Sequence, residues 1–427
     1  MLARTVGMAL DIEAIRAEFP ILGIQHPTGM PFVYLDSAAT TQKPVCVLDA
    51  MDAYYRQTNA NVHRAVYSLA AEATAGYEYA RQRIASFFGA TEREMVFTSG
   101  TTEAINLVAY GWGRHMLVKG DVILTTEMEH HADIVPWQLL ASERGVEVRY
   151  VPLDRETMML DMEAMEVGVE EAALVCVVHT SNVLGVRNDV ERIIELARSR
   201  GRGPGGRGPA GGGAPVLLDC AQAAPHERLD FSTLGADFIA FSGHKMGGPT
   251  GIGGLIATEE MLAEMQPFIS GGDMIDRVTL EGTTFQDGPQ RFEAGTPRIA
   301  EAFGWAAAID WLDQFDMAEV HSHVSGLARR TAEAISVLPG ITVHGRHDLP
   351  TASGVVTFSH EKLHAEDIAH LMDAGGFALR TGHHCAQPLL AALGVAATIR
   401  ASFWIHNTSA EADSFIAHLS DIIERFA

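Results

Sequence analysis

Between Val96 and Leu255 the chain alternates short apolar runs with amphipathic stretches. "MVFTS", "DVILTT", "VEVRYVPL", "ALVCVVHT", "PVLLDC", "DFIAFS" and "IGGLIA" have the texture of strands buried on both faces. Segments between them, such as "VERIIELARSR", place apolar residues at helical spacing. The alternation predicts an α/β domain with a mainly parallel sheet covered on both sides, its ligands gathered at the carboxyl ends of the strands. After about Trp305 the texture changes. Helical stretches ("EAFGWAAAIDWLDQF", "GLARRTAEAISVL") and a few strands ("SGVVTFS", "GFALRTG", "ATIRASF") predict a second, smaller α+β domain. The glycine-rich run "SRGRGPGGRGPAGGGAP", residues 199–215, cannot pack a core and reads as a flexible surface insertion, with a weak anion-binding tail as the alternative.

Composition narrows the function. The 427 residues are 47% hydrophobic and 20% charged, ordinary for a globular protein and long enough for two domains. A net charge of −23 repels phosphates, so no nucleic-acid partner is expected. No apolar run reaches the length of a membrane span, and acidic residues arrive by Asp11, unlike a secretory signal. A cytoplasmic protein without a membrane partner is the expectation. The four cysteines show no C-x-x-C pair and no metal-ligand spacing, so neither disulfides nor a metal are expected. Cys176 and Cys220 sit in apolar runs as small hydrophobes. Cys385 differs: in "RTGHHCAQP", Gly382 and Pro388 mark an irregular loop, where a thiol is either incidental or placed to react.

Candidate chemistry recurs at strand ends. "DFIAFSGHKMGG" delivers Ser242, His244 and Lys245; such a lysine condenses with aldehydes if its amine is desolvated, or is a plain surface lysine. "VLLDCAQ" ends a buried strand in Asp219, with Gln222 three residues on. A carboxylate there needs a cationic partner, such as the protonated ring nitrogen of pyridoxal phosphate, unless it merely caps the next helix. "TSGTTEAINLV" reads as a phosphate loop with Thr101 and Thr102, or an ordinary helix cap. "EMEHHADIVPW" offers His130 and His131, and "VVHTSNVLG" offers Asn182.

The motifs "YLDSAATTQKP", "NVHRAVYSLA", "SGTTEAINLV", "MEHHADIVPWQ", "HTSNVLG", "DCAQA", "FSGHKMGGPTGIGG", "RFEAGTP" and "RTGHHCAQP" run from Tyr34 to Pro388, within a match that extends from about Phe19 to Ser402. Through them the chain resembles the fold-type I pyridoxal-phosphate enzymes of the class V aminotransferase group, and within it the cysteine desulfurases of the SufS type. Ser99, where members of this subgroup often carry arginine, and the glycine-rich run depart from the pattern. The resemblance implies a large cofactor-binding domain over 31–300 with a seven-stranded sheet. It also implies a small domain over 301–427 carrying the Cys385 loop, and an N-terminal segment over 1–30 packing on that small domain. It further implies that Lys245 holds pyridoxal 5'-phosphate covalently, Asp219 faces the ring nitrogen, Gln222 the phenolic oxygen, and His130 stacks on the ring with a catalytic role. Thr101, Thr102, Ser242 and His244 would bind the phosphate, joined by Thr296 of a partner subunit, so a homodimer is expected. His63, Asn182, Arg380 and Arg400 would bind the substrate, L-cysteine. Cys385 would take its sulfur as a persulfide, leaving alanine, for a sulfur-acceptor protein of the SufE or SufU type in iron–sulfur cluster assembly. Whether His383 and His384 activate the thiol or shape its loop stays open at this level. A selenocysteine lyase, an aminotransferase or epimerase, and a non-catalytic scaffold are the alternatives.

Overall fold

The computed structural model describes residues 10–64, 66–206 and 213–426. The seven apolar runs form one sheet: β1 (Met95–Thr98), β2 (Val122–Thr126), β3 (Glu147–Val151), β4 (Ala172–Val178), β5 (Val216–Asp219), β6 (Phe238–Ser242) and β7 (Gly253–Ala257). Their spatial order is β1-β7-β6-β5-β4-β2-β3. The pairs β3–β2, β2–β4, β4–β5 and β5–β6 are parallel. β7 alone runs antiparallel, to β6 and to β1. Its reversal follows from its connection: residues 243–252 are too few for the crossover that a parallel return requires. With β7 reversed between them, β1 and β6 point the same way as the rest, so six carboxyl ends share one edge.

Every residue of β4, at the middle of the sheet, is buried, whereas the edge strand β3 exposes Glu147 and Tyr150. The core packs on both faces, with Trp137, Trp112 and Phe238 in one cluster and Phe241 and Trp305 in the other. Cys176, in β4, and Cys220, just after β5, are buried, and burial raises both thiol pKa values.

The small domain is built on a four-stranded antiparallel sheet: β8 (Ile341–His344), β9 (Val355–His360), β10 (Arg380–Gly382) and β11 (Thr398–Ser402), ordered β8-β9-β11-β10. Helices 317–336, 365–374 and 409–426 accompany it. β8 was not legible in the sequence, because "ITVH" is a short edge run in which only His344 is fully buried. "GFALRTG" divides: Arg380–Gly382 is β10, while Phe377–Ala378 pairs in parallel with Val33–Tyr34.

The N-terminal segment also meets the small domain. Arg16 forms an ion pair with Glu411 at 2.7 Å, and Phe19 packs edge-on against Trp404. Residues 1–9 of the expected N-terminal segment lie outside the described residues. The glycine-rich run is shorter as a loop than its composition indicates. Ser199 and Arg200 complete the helix 190–200, Gly205 N–H donates to the Asp121 carboxylate at 2.9 Å, and Gly213, Ala214 and Pro215 are buried. Residues 207–212 lie outside the described residues. Among the described residues no helix is long and apolar enough to cross a membrane.

Candidate active site

The shared carboxyl edge of the sheet borders an open cavity of about 770 Å3, counting solvent at its mouth. Twelve residues expected to act on the cofactor or substrate line it: Thr101, Thr102, His130, Asn182, Asp219, Gln222, Ser242, His244, Lys245, Arg380, Cys385 and Arg400. His63 and Thr296 do not. His63 is exposed and hydrogen-bonded to Glu78 at 2.8 Å, and that bond raises its pKa. Thr296 is exposed on the loop that follows Glu293.

The phosphate-loop candidates converge at one end. Ser242 Oγ accepts from the Thr101 N–H at 2.9 Å and shares a hydrogen bond with the Thr101 hydroxyl at 2.7 Å. Between β1 and the helix Thr101–Leu107 stands Gly100, at φ 153°, a backbone suited to glycine. A Cβ on Gly253 of β7 would fall 2.4 Å from the Gly100 Cα, so two glycines let the strand and the loop meet. The next turn, Gly243–Lys245, is pinned through the His244 carbonyl. That oxygen accepts from Thr41 N–H, Thr41 Oγ1 and Lys43 Nζ, each at 3.0 Å, and from Thr40 Oγ1 at 3.2 Å.

Lys245, on that turn, has its pKa lowered to about 8 by burial, with Asp219 pulling the other way. The amine is thereby partly neutral near pH 7. Cys385 is near enough to act electrostatically on the same amine. Asp219, 3% exposed at the end of β5, accepts from the Ala221 N–H at 2.9 Å. Burial raises its pKa, partly offset by Lys245. His130 Nδ1 accepts from the Ala132 N–H at 3.0 Å, so the ring's single proton sits on Nε2; burial and Lys245 hold its pKa down to about 4. Gln222 donates to the Ala38 carbonyl at 2.8 Å.

Arg400, 2% exposed on β11, reaches across from the small domain. Its Nη1 donates to the Asn182 carbonyl at 2.9 Å and its Nη2 to Asp36 at 3.2 Å, leaving Nε without a partner. Asn182 lines the cavity and also holds the Cys385 loop. Its Nδ2 donates to the His384 carbonyl at 2.7 Å, and its Oδ1 is buried without a partner.

Cys385 is exposed, on a loop in which Gly382, His384 and Cys385 all have positive φ, at 104°, 50° and 56°. His384 is buried, bonded through Nε2 to the Thr398 hydroxyl at 2.9 Å, and its pKa falls to about 3 because burial disfavours charge. It is therefore neutral and shapes the loop; it supplies no positive charge to the thiol. His383 is exposed. Asp36 was missed as a site residue, and His131, offered beside His130, received no role. Asp36 lies in "YLDSAATT", but nothing in that run says that an arginine over 360 positions away will seek it.

The residues present fit pyridoxal phosphate. A buried carboxylate aimed at the cavity lacks a full cationic counterpart, a partly neutral lysine stands opposite, and hydroxyls and backbone amides gather around Gly100. Buried polar atoms of Asn182 and Arg400 remain unpaired on the same wall. Fold and site together define a pyridoxal-phosphate enzyme of fold type I.

The family model for class-V aminotransferases matches residues 33–415, and the chain belongs to that family, as one of its cysteine desulfurases. It is 44% identical to a probable cysteine desulfurase of Halalkalibacterium halodurans, over 98% of this chain and 99% of the relative. Among solved structures it is similar to an apo cysteine desulfurase of Thermococcus onnurineus, with a TM-score of 0.90 and 37% identity over 98% of this chain and all of that one. It is also similar to the Escherichia coli cysteine desulfurase CsdA, with a TM-score of 0.86 and 36% identity over 98% and 99% of the two chains.

Proposed function

We propose that the protein converts L-cysteine to L-alanine and carries the released sulfur on Cys385 to an acceptor protein for iron–sulfur cluster assembly. The observation that carries this reading is that Lys245, Asp219 and Cys385 line one cavity. When bound, pyridoxal phosphate supplies an aldehyde that captures amines and a ring that accepts electrons from the captured amino acid. Asp219 would hold the ring nitrogen in its protonated form and so sustain that capacity. Thr101, Thr102, Ser242 and His244 would hold the phosphate, and His130, a neutral imidazole in the same cavity, would contact the ring. Arg400, oriented by Asp36, offers its remaining N–H donors to the substrate carboxylate.

Lys245 takes the proton from the substrate Cα and can return it later. Cys385, as thiolate, attacks the substrate sulfur. The new S–S bond forms as the substrate C–S bond breaks; the electron pair stays on carbon, which takes a proton and becomes the methyl group of alanine. The thiol's exposure supports delivery to an acceptor at the surface. Thr296, exposed and apart from its own chain's cavity, supports a homodimer in which it serves the neighbouring site. Four unpaired cysteines fit a reducing cytoplasm.

The test is to incubate the holoenzyme with L-cysteine, quantify alanine and map persulfide by peptide mass. Persulfide is expected on Cys385, and Cys385→Ala should lower alanine formation by about two orders of magnitude or more. Selenocysteine, whose selenium leaves more readily, should still be broken down. Undiminished cysteine turnover by Cys385→Ala would remove the basis of the proposal.

A further inference from the structure

The Cys385 loop is held against the large domain by three hydrogen bonds. Asn182 Nδ2 donates to the His384 carbonyl at 2.7 Å, and the His131 N–H donates to the Cys385 carbonyl at 2.7 Å. The Gln387 N–H donates to Nε2 of the His131 ring at 3.0 Å. His131 therefore grips the loop twice just after the sulfur, by its main chain at the Cys385 carbonyl and by its ring two residues later, while Asn182 holds the residue before it. The loop needs such holding. Two successive side-chain-bearing residues in left-handed backbone are disfavoured, and the turn bond from Ala386 N–H to the His383 carbonyl does not relieve them.

We propose that His131 is the latch of the sulfur-carrying loop, a positioning residue whose unprotonated Nε2 keeps Cys385 over the cavity and whose release lets the loaded thiol turn outward to its acceptor. This rests on the reading of Cys385 as the sulfur carrier.

Of the three contacts, only the one to the ring nitrogen can be undone by a proton, because a protonated Nε2 donates and cannot accept from Gln387. Among the described residues, the titratable groups beside the ring are His383 on the loop and His130, whose ring centroid lies 6.3 Å away, and Cys385 meets His131 through its main chain. Burial, and then His383, lower the His131 pKa, so the latch is closed at neutral pH. The sign follows from linkage. An undocked loop returns His131 to an ordinary value of about 6.5, so docking is at full strength above that pH and weakens as pH falls through it.

Alkylation of Cys385 in the substrate-free holoenzyme, followed by peptide mass, measures the latch directly. His131→Ala should speed alkylation at Cys385 about fivefold, the factor that one ordinary hydrogen bond represents. His131→Gln, whose amide oxygen restores an acceptor, should bring the rate most of the way back. An unchanged rate in His131→Ala, or an equal rise in both variants, overturns the proposal. In the unaltered protein, exchange at the Gln387 amide, relative to neighbouring amides, should accelerate as pH falls from about 7.5 to about 5.5; a flat ratio overturns it as well. Both readouts are taken without cysteine, so they fail independently of the Cys385→Ala test that governs the carrier reading.

Discussion

Lys245 sits on the turn after β6, where burial lowers the pKa of its amine to about 8. The position of the lysine after a strand was plain from "DFIAFSGHK"; whether its amine is neutral depends on burial, which only the folded chain sets. With its pKa near 8, about one Lys245 in ten is neutral at pH 7, against roughly one in 3000 for a free lysine. Covalent attachment of pyridoxal phosphate to cofactor-stripped protein should therefore quicken about tenfold per pH unit below about 8 and level off above it. The growth of the yellow chromophore measures this, and a rate still climbing at pH 10 would contradict the lowered pKa. The histidines beside Cys385 make the opposite point. "HHC" invites an account in which imidazolium activates the thiol, yet His384 turns inward to Thr398 and stays neutral. The letter pair cannot say which way a ring faces.

Among elements, the strands of the large sheet were legible because each is buried on both faces and so is apolar throughout. The reversal of β7 was not stated by its composition, although the shortness of the link before it contains the reason. Contacts made by loops were the least legible. Glu293, in "RFEAGTP", forms a two-pronged ion pair with Arg81 at 2.5 and 2.8 Å, and accepts from the Phe97 N–H at 2.7 Å and the Tyr77 hydroxyl at 3.0 Å. Arg81 is 1% exposed. Glu293 thus anchors β1, the strand that ends in the phosphate loop, to the segment that carries Thr296. Removing Glu293 leaves the buried Arg81 with a single carboxylate, Glu78, 3.0 Å from its Nε, so Glu293→Ala should cost about 3 kcal/mol in urea unfolding and loosen cofactor retention. An unfolding midpoint equal to that of the parent protein would show that Arg81 finds other partners.

For the whole molecule, two features point to a second copy of the chain. Thr296 lies away from its own cavity, and large apolar side chains including Val66, Tyr67, Ile269, Val278 and Leu280 stand exposed. Sedimentation should give twice 46.0 kDa, about 92 kDa, at micromolar concentration. A 46.0 kDa species with full cofactor occupancy would separate the site from any dimer. Charge and composition had narrowed the partner classes; they could not show which faces meet, because neighbours in space are set by folding and not by order in the chain.

The pairing of Val33–Tyr34 with Phe377–Ala378 has a consequence for birth as well as for shape. A ribosome makes about 5–20 residues each second, so the early strand waits on the order of half a minute for its mate. Throughout that wait its backbone donors lack their acceptors, and Phe19 has Trp311 but neither Trp404 nor His406 to pack against. A nascent chain stalled before residue 377 should thus bind chaperones through its first forty residues, while the seven-stranded sheet behind it is already protected from protease.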